Sequence, residues 1–588
     1  MGWLRSFWKH GWVVLVLSAL LPAAWAGAAH RCGAQQDEPT GVRETGFLVI
    51  APDRGFAGNE EIREAFETFA KGRNAALAFV TDERTAGNLQ GALQALAQNG
   101  ARRAVALPLF ISRAEPRWVL AAHLLDSGAL GSLPVSVGRA FGESYLAVEA
   151  LADRFRAIRA PAGRRVVVVG YGAMDAETRR SMTADWQRIA ERAAEGLGFA
   201  SVRSVVWHER KAPERATRQA ESERLLAEAV ASDAVVIPFH FGRKLDSMMS
   251  FEAELAHALP PGAKLLPEAA SPAPFLIAAW MSQEANRHVP LKAEDLGIVI
   301  LAHGADYHWN ERMRQSVRSL EDRYKLEFVF SMADQPLIER AVERLERRGA
   351  RAIVIVRVFG LASAFRDAVE RMIGWDVEHS APDDLGRSGA DHGHDDDGNG
   401  GAYAHHHGHG GARAHPRGRI RAAVPMATAG GLEDDPLFAE ALLDRAKALS
   451  REPSRETVIL VAHGSGDDAA NAHWLEVLDS LARQIKARGG EGVRAVRVAT
   501  WREDWPEKRA PWIERVREMV KEATRDGGRA LVIPARTNAQ GHEREFLAGL
   551  EFELGEGFAP HPLFARWVEK QIQAGAASLR GDHIWPTP

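Results

Sequence analysis

Four segments of the chain repeat one pattern, in which an apolar strand ends at a tight turn of small residues and a helical segment follows. These strands occupy residues 47–51, 165–170, 296–302 and 457–462. A second apolar segment recurs downstream in each copy, at residues 100–108, 232–238, 349–356 and 527–534. This repetition constrains the fold more than any single motif, because every copy must bury its hydrophobic strands in the same way.

The repeated strands are continuous runs of aliphatic and β-branched residues, without alternation of polar and apolar positions. Such runs are typical of strands covered on both faces, and their alternation with helical segments indicates parallel α/β sheets. A chain of 588 residues has room for several such domains. We therefore predict an α/β protein of four parallel-sheet units. The predicted units span residues 46–160, 164–290, 295–450 and 455–580.

The composition excludes several classes of protein. Cys32 is the single cysteine, so the chain forms no intramolecular disulfide and no cysteine-based zinc or iron–sulfur site. The 74 basic and 78 acidic residues give a net charge of −4, without a long Lys/Arg run. We expect no nucleic-acid partner, because binding to a phosphate backbone needs a concentrated basic surface.

The N-terminus has the pattern of a secretory signal peptide over residues 1–26. Basic residues precede an apolar run at residues 12–21, and a small-x-small cleavage site follows at residues 24–26. The run is too short to cross a hydrocarbon core of about 30 Å, and no later segment is long enough to do so. We expect a periplasmic or secreted protein without a transmembrane segment in the mature chain. The alternative is an uncleaved N-terminal anchor, and the role of Cys32 stays open.

Histidines follow the first strand in two of the four units. In open α/β sheets, ligands bind beyond the carboxyl ends of the strands, so residues in these turns are candidates for chemistry. The third unit has His303 in this turn and the fourth has His463. His542 comes eight residues after Pro534, the proline that ends the later apolar segment of the fourth unit. The alternative for each histidine is a turn residue with a satisfied hydrogen bond.

Four features of the fourth unit occur in order: Ala-His-Gly-Ser at residues 462–465, Asn471, a strand ending at Pro534, and His542. In this order they resemble the class II chelatases, the family of sirohydrochlorin cobaltochelatases and ferrochelatases. The other units repeat parts of the pattern. Members of that family have two flavodoxin-like lobes that face one another. The resemblance therefore implies four flavodoxin-like units in two bilobal pairs, preceded by the signal peptide.

The resemblance also implies an activity, which is insertion of Co²⁺, Ni²⁺ or Fe²⁺ into a tetrapyrrole held between two lobes. His463 and His542 match the histidine pair of the family, and His303 matches the first histidine of that pair in another lobe. Neutral imidazole suits these cations, and a histidine with a pKa near neutrality accepts a pyrrole proton. These three histidines are the predicted catalytic and metal-binding residues. The metal is a substrate, the tetrapyrrole is the partner, and no organic cofactor is expected.

Charged residues close in sequence to these histidines extend the predicted site. The carboxylates that would assist are Glu503, Asp504, Glu543 and Glu545. Arg536 and Arg544 are predicted to bind carboxylate groups of the macrocycle, because guanidinium pairs with carboxylate in bidentate fashion. The alternative for both arginines, Glu503 and Glu543 is a solvated surface position.

Seven of the 22 histidines are concentrated in one insertion, at residues 383–419. The insertion consists mostly of Gly, Asp, His and Ala, which bury no core, so we predict that it is disordered. Its histidines are predicted metal ligands that form a local reservoir, because flexible imidazole clusters bind several divalent cations without strong selectivity. The alternative is a polar linker. The seven residues are His392, His394, His405, His406, His407, His409 and His415.

Two functions fit these observations. The first is an exported chelatase-like enzyme in which the fourth unit, with the third, carries the metal. The second is an exported non-catalytic protein that stores or delivers a metal or a tetrapyrrole on the same scaffold. A purely structural repeat protein would account for the repeated strands but leaves the histidine-rich insertion without a role. The oligomeric state is not predicted.

Overall fold

The computed structural model describes residues 44–579 apart from 83, 232, 243–250, 267–270, 380–417, 491 and 538–540. The described residues form four parallel sheets of four strands, with helices between the strands. In every sheet the spatial order is the second, first, third and fourth strand of the unit. The predicted α/β fold of parallel-sheet units is confirmed. The predicted signal peptide, Cys32 and the seven histidines of the insertion lie outside the described residues.

Units 1 and 2 come first along the chain. The strands of unit 1 are β1 (Thr45–Pro52), β2 (Ala75–Val80), β3 (Arg103–Pro108) and β4 (Val135–Val137). Its helices are α1 (Gly55–Ala70), α2 (Thr85–Gln98), α3 (Pro116–Asp126) and α4 (Tyr145–Arg156). The strands of unit 2 are β5 (Arg165–Ala173), β6 (Ser201–His208), β7 (Val235–Pro238) and β8 (Lys264–Leu265). Its helices are α5 (Ala176–Ala194), α6 (Arg215–Ala229), α7 (Phe251–Ala258) and α8 (Pro274–Arg287).

Units 3 and 4 repeat the arrangement. The strands of unit 3 are β9 (Leu296–Ala302), β10 (Lys325–Phe330), β11 (Ala352–Val358) and β12 (Met426–Gly430). Its helices are α9 (Tyr307–Ser316), α10 (Gln335–Arg347), α11 (Arg366–Met372), α12 (Trp375–Glu378) and α13 (Pro436–Leu449). The strands of unit 4 are β13 (Glu456–Ala462), β14 (Ala495–Thr500), β15 (Arg529–Pro534) and β16 (Glu553–Leu554). Its helices are α14 (Asp468–Ile485), α15 (Pro506–Thr524), α16 (Glu543–Phe546) and α17 (Pro562–Ser578).

The central strands are buried on both faces, which explains their unbroken apolar sequences. Every residue of β9 is buried. Val299 and Leu301 on one face belong to a core cluster that runs through units 1 and 2, whereas Ile298 and Ile300 on the other face belong to a cluster shared with unit 4. The sheet of unit 3 thus lies between two hydrophobic cores. Among the described residues no helix combines the length and apolar character needed to cross a membrane.

The last helix of each unit packs on the neighbouring unit. Helix α4 of unit 1 packs on α5 of unit 2, and α8 of unit 2 returns to pack on α1 and β3 of unit 1. In the same way α13 of unit 3 packs on α14 and β15 of unit 4, while α17 of unit 4 packs on β11 and β12 of unit 3. This reciprocal exchange joins the units into the two predicted bilobal pairs, units 1 with 2 and units 3 with 4.

The first pair is fixed to unit 3 through the chain segment that follows the insertion. The hydroxyl of Tyr145 donates to the carbonyl oxygen of Ile420 at 2.8 Å, and Gln283 Nε2 donates to the carbonyl oxygen of Ala422 at 2.7 Å. Arg419, at the end of the predicted insertion, pairs with Glu149 of α4 at 3.5 Å. These buried polar contacts fix one alignment of the two pairs, because each group would otherwise lose its partner away from water.

The packing of α17 on unit 3 predicts opposite effects for two equivalent substitutions. A Cβ atom at Gly575 would lie 2.4 Å from Val354 Cγ1 of β11, whereas one at Gly91, on the exposed side of α2, would meet nothing within 4 Å. Gly575→Ala should therefore destabilise the protein by about 1–3 kcal/mol. Gly91→Ala should stabilise it by about 0.5–1 kcal/mol, because Ala favours helix more than Gly does.

Thermal unfolding of both variants beside the parent protein checks this expectation. A rise in the midpoint for both substitutions would contradict close packing between the exchanged helix and the sheet. A fall for both would show that the effect is not specific to this contact.

Candidate metal centre between units 3 and 4

The turn that carries His463 requires glycine at its second position. Gly464 has φ of 83°, and a Cβ atom there would lie 2.8 Å from Asn471 Oδ1 and 2.9 Å from Thr500 Cβ. Asn471 is buried and accepts hydrogen bonds from the Ser465 backbone N–H at 3.3 Å and the Thr500 hydroxyl at 2.9 Å. Asn471 of α14 thus ties the turn to the end of β14, which fixes the position of His463.

Both ring nitrogens of His463 face hydrogen-bond acceptors. Nε2 donates to Asp504 Oδ2 at 2.8 Å, and Nδ1 lies 2.9 Å from the carbonyl oxygen of Gly464. Glu503 Oε1 is 3.6 Å from Nε2, and the Trp505 ring meets the imidazole edge-on. Burial lowers the pKa of His463, but the hydrogen bond to Asp504 and the charge of Glu503 outweigh it, so the pKa lies above its usual value.

Asp504 is the carboxylate that accepts the hydrogen bond of His463. The hydrogen bond from His463 lowers its pKa, burial opposes this effect, and the charges of His463, His303 and His542 lower it further. His303 follows β9 of unit 3, whereas His463 and His542 belong to unit 4. Asp504 contacts His463 directly, and the grouping of His303 and His542 with His463 around one metal ion stays a prediction.

The three imidazoles differ in exposure and in their local contacts. The His463 side chain is 31% exposed and that of His542 is 57% exposed. His542 precedes α16, where Nδ1 lies 2.9 Å from Glu545 Oε2 and the ring stacks on Phe546. His303 Nδ1 lies 2.6 Å from the carbonyl oxygen of Gly304. All three residues are thus at least partly exposed to solvent.

Arg536 lies in the site, where it is paired with carboxylates of the protein itself. Its Nη1 donates to Glu503 Oε1 at 3.0 Å, and its Nη2 donates to Glu543 Oε1 at 2.7 Å. The Glu503 side chain is 10% exposed and that of Glu543 is 1% exposed, so the solvated surface alternative is wrong for these two glutamates. Arg536 orients Glu503 beside His463. Arg544 is exposed, and its predicted contact with a substrate carboxylate stays a prediction.

The position of Glu503 beside His463 has a sequence signal of its own, separate from the turn histidines. The pattern Trp-x-Glu stands at the end of the second strand in units 2 and 4, as Trp207 with Glu209 and as Trp501 with Glu503. Both tryptophans are buried, so each fixes the glutamate two residues later at the edge of its sheet. The burial of Glu543 had no comparable signal, because it depends on Arg536 seven residues earlier in sequence.

The predicted metal ligands of units 3 and 4 that the structure describes do not form a preassembled metal site. Within the part of the chain that the structure describes, no group of three or more His, Cys, Asp or Glu side chains is arranged to hold a metal ion. The hydrogen-bonded charged set at the cleft contains Glu503, Asp504 and Glu543 against Arg536, so it favours a cation. Trp309, which follows the His303 turn, is buried against Phe330 of β10 rather than exposed to the cleft.

Residues 297–449 match the family model of CbiX. This range covers unit 3 from β9 to the end of α13. Unit 3 is thus similar to the CbiX family, which supports the predicted resemblance to the class II chelatases for this part of the chain.

Two solved structures resemble the chain at low sequence identity. SirB from Bacillus subtilis, determined with Fe³⁺, is 14% identical with a TM-score of 0.33, and the match covers 48% of this chain and 96% of SirB. The structure of CbiX, described as the terminal enzyme for siroheme biosynthesis in denitrifying bacteria, is 18% identical with a TM-score of 0.26. That match covers 40% of this chain and 97% of CbiX. A search of the curated proteins finds no match.

The contact between His463 and Asp504 predicts how the imidazole titrates. Asp504→Asn should lower the pKa of His463, because the substitution removes the charge-assisted hydrogen bond that raises it. NMR titration of the histidine rings in the metal-free protein measures this shift. Glu545→Gln is the matched control, since Glu545 contacts His542 instead. An unchanged His463 pKa in Asp504→Asn would contradict the observed contact.

Proposed function

We propose that the cleft between units 3 and 4 inserts a divalent metal ion into a tetrapyrrole of the sirohydrochlorin type. The observation that carries the proposal is the pair of carboxylates beside His463, with Asp504 Oδ2 at 2.8 Å and Glu503 Oε1 at 3.6 Å from its Nε2 atom. The CbiX match of unit 3 supports the same class of reaction.

The donor set suits the proposed metals. Imidazole nitrogen and carboxylate oxygen bind Co²⁺, Ni²⁺ and Fe²⁺, and the set has no thiolate that would hold the ion too tightly. His463 and His542 would receive the ion, and His303 would approach it from unit 3. A metal that must be passed to four pyrrole nitrogens is better held by few and partly exposed ligands than by a closed cage.

Insertion exchanges one divalent cation for two protons, because the metal replaces the hydrogens on two pyrrole nitrogens. His463 accepts a proton as neutral imidazole, and the adjacent Asp504 stabilises the resulting imidazolium through their 2.8 Å hydrogen bond. His542, paired with the exposed Glu545, is a second acceptor with a route to solvent. The negative charge of the carboxylates thus promotes deprotonation of the macrocycle and also attracts the cation.

Binding of the macrocycle would use charge at the rim of the cleft. Arg544 is exposed beside His542 and is the proposed partner for a substrate carboxylate, since Arg536 already pairs with Glu503 and Glu543. The histidine-rich insertion would supply metal to the cleft by raising its local concentration, in keeping with its seven imidazoles.

The test is metal insertion into sirohydrochlorin by the purified mature protein, followed by absorbance. His463→Ala and His542→Ala should each lower the rate by at least about 100-fold, because each removes a metal ligand and a proton acceptor. His303→Ala should also lower it, since this imidazole acts from the opposite unit. Deletion of residues 383–415, which spares the ion-paired Arg419, should leave turnover intact at saturating metal.

His473→Ala is the matched control, because His473 is a half-exposed histidine of unit 4 that pairs with Glu433 and Glu476. Equal losses in His473→Ala and His463→Ala would point to a general effect on folding. Stoichiometric metal binding without insertion would contradict catalysis and favour the storage or delivery alternative.

We further propose that the protein is exported, which is supported by the pattern of residues 1–26. N-terminal sequencing of the protein from the periplasm or the medium should begin at Gly27. Ala26→Asp should block this processing, because the cleavage site requires a small residue. Recovery of a cytosolic protein that still begins at Met1 would contradict export.

A further inference from the structure

One packing contact joins unit 3 to unit 4 between the elements that carry His303 and His463. The indole ring of Trp474 in α14 lies against Gly360, which follows β11. A Cβ atom at Gly360 would overlap Cη2 and Cζ2 of this ring and would lie 3.1 Å from Cζ3. The φ angle of Gly360 is outside the left-handed region. Glycine is therefore required at this position for space and not for conformation.

On the side of unit 4, Trp474 belongs to the helix that fixes the turn of His463. It lies three residues after Asn471 in α14. The Asn471 side chain accepts hydrogen bonds from the Ser465 backbone N–H at 3.3 Å and from the Thr500 hydroxyl at 2.9 Å. A shift of α14 at Trp474 therefore moves the turn of His463 with it.

On the side of unit 3, Gly360 belongs to the loop beside the turn of His303. Val358, the last residue of β11, is paired with Ala302, the last residue of β9, and His303 follows directly. Gly360 comes two residues after Val358, and its carbonyl oxygen accepts a hydrogen bond from the Glu433 backbone N–H at 2.8 Å. The loop is thus held at the same edge of the sheet as His303.

Packing, and not a polar contact, sets the separation of the two histidine turns. Among the described residues, neither His303 nor His463 has a hydrogen bond or ion pair with the opposite unit. Nδ1 of His303 lies 2.6 Å from a carbonyl oxygen of its own turn, and His463 donates to Asp504 of unit 4 at 2.8 Å. The contact of Trp474 with Gly360 connects the helix behind one turn to the loop beside the other.

The corresponding loop of unit 2 makes a different contact. The same Phe-Gly pair ends eight residues after an alanine in both units, from Ala234 to Gly242 and from Ala352 to Gly360. A Cβ atom at Gly242 would lie 2.7 Å from the Cα atom of Gly58 in α1 of unit 1. Backbone therefore meets backbone between units 1 and 2, whereas an indole ring lies between the loop and the helix in units 3 and 4.

The first cleft, between units 1 and 2, is bridged by direct contacts. Arg54 follows β1 and donates to Glu115 of unit 1 at 2.7 Å and to Glu209 of unit 2 at 3.2 Å. Arg117 of unit 1 also pairs with Glu209. The Arg54 side chain is 2% exposed, whereas that of His463 in the second cleft, between units 3 and 4, is 31% exposed. The cleft whose units meet through glycine is filled, and the cleft whose units meet through tryptophan reaches solvent.

We propose that Trp474 is a positioning residue, whose indole ring is a spacer that sets the separation of the His303 and His463 turns across the second cleft. Protein interiors are close-packed and transmit strain, so a change of volume at this contact shifts one unit against the other. This role rests on the proposed function of the two histidines, because their separation matters only if both act on one metal ion and macrocycle. The spacing itself is independent of catalysis.

The first measurement is the distance between the two units in the full chain. Spin labels on cysteines introduced at the exposed positions Glu343 of unit 3 and Glu514 of unit 4, in a Cys32→Ser background, report it by pulsed electron paramagnetic resonance. Gly360→Ala should shift the mean distance, because the added methyl group displaces the ring. Trp474→Ala should broaden the distribution, because the spacer is lost.

The double variant Gly360→Ala with Trp474→Ala makes the test specific to this contact. The added methyl group has room once the ring is absent, so Gly360→Ala should have little effect in the Trp474→Ala background, and the two substitutions should not be additive. Trp512→Ala is the matched control, since Trp512 is a half-buried tryptophan of unit 4 that contacts Arg515 of its own helix. It should leave the distance unchanged.

Metal insertion into sirohydrochlorin is the second measurement. Gly360→Ala should lower kcat by at least about 10-fold, because a displacement of about 1 Å at a catalytic group costs up to about 100-fold. Trp474→Phe, which keeps a smaller aromatic ring, should lose less activity than Trp474→Ala and serves as the second variant if Trp474→Ala is unstable.

The two measurements separate the spacer from the proposed function. A parent protein without turnover would contradict insertion, while the distances would still decide the spacing. Turnover in the parent with unchanged distances in Gly360→Ala and in both Trp474 variants would overturn the spacer and leave the function standing. A lower thermal midpoint with an unchanged distance distribution in the folded variants would also overturn it, because Trp474 would then contribute stability alone.

Discussion

The exchange of terminal helices is the contact on which the rest of this structure depends. Helices α4 and α8 cross between units 1 and 2, and α13 and α17 cross between units 3 and 4. Each exchange holds two units against each other, so that side chains from different units meet, as Arg54 meets Glu209 in the first pair and His473 meets Glu433 in the second. The close approach of α17 to β11, where Gly575 leaves no room for a Cβ atom, shows how tightly the second pair is held.

The same architecture produces two clefts with opposite properties. In the second, His463 and Asp504 form a partly exposed hydrogen-bonded pair within an acidic set, which suits a cation that arrives and leaves. In the first, Arg54 and Arg117 face Glu115 and Glu209, so these four largely buried side chains are neutral as a set. Because a buried ion pair resists entry of a further charge, repetition of the fold does not imply repetition of the function. The two pairs of units therefore differ in the charged side chains that lie at the ends of their strands.

The sequence predicted the strands well, because burial on both faces leaves an unbroken apolar signature. Residues 296–302 were predicted as a strand and form β9, and the predicted strand at 457–462 lies within β13. The predicted positions of His303 and His463 followed directly, since each histidine succeeds its strand. Prediction was weaker for charged residues. Glu543 gives no sequence sign of burial, and Arg536 was expected to bind substrate although it pairs with two glutamates of the protein.

The sequence by itself determined the repeated α/β units, the edge of the sheet at which the candidate histidines lie, and the residue types present there. These are local properties, because strand burial and turn chemistry depend on neighbours along the chain. Tertiary structure decided which units pair, that Asp504 accepts a hydrogen bond from His463, and that Arg54 is buried between Glu115 and Glu209. Those contacts join residues that are far apart in sequence. Their energies depend on the distance and burial that the exchanged helices impose, and no spacing along the chain encodes them.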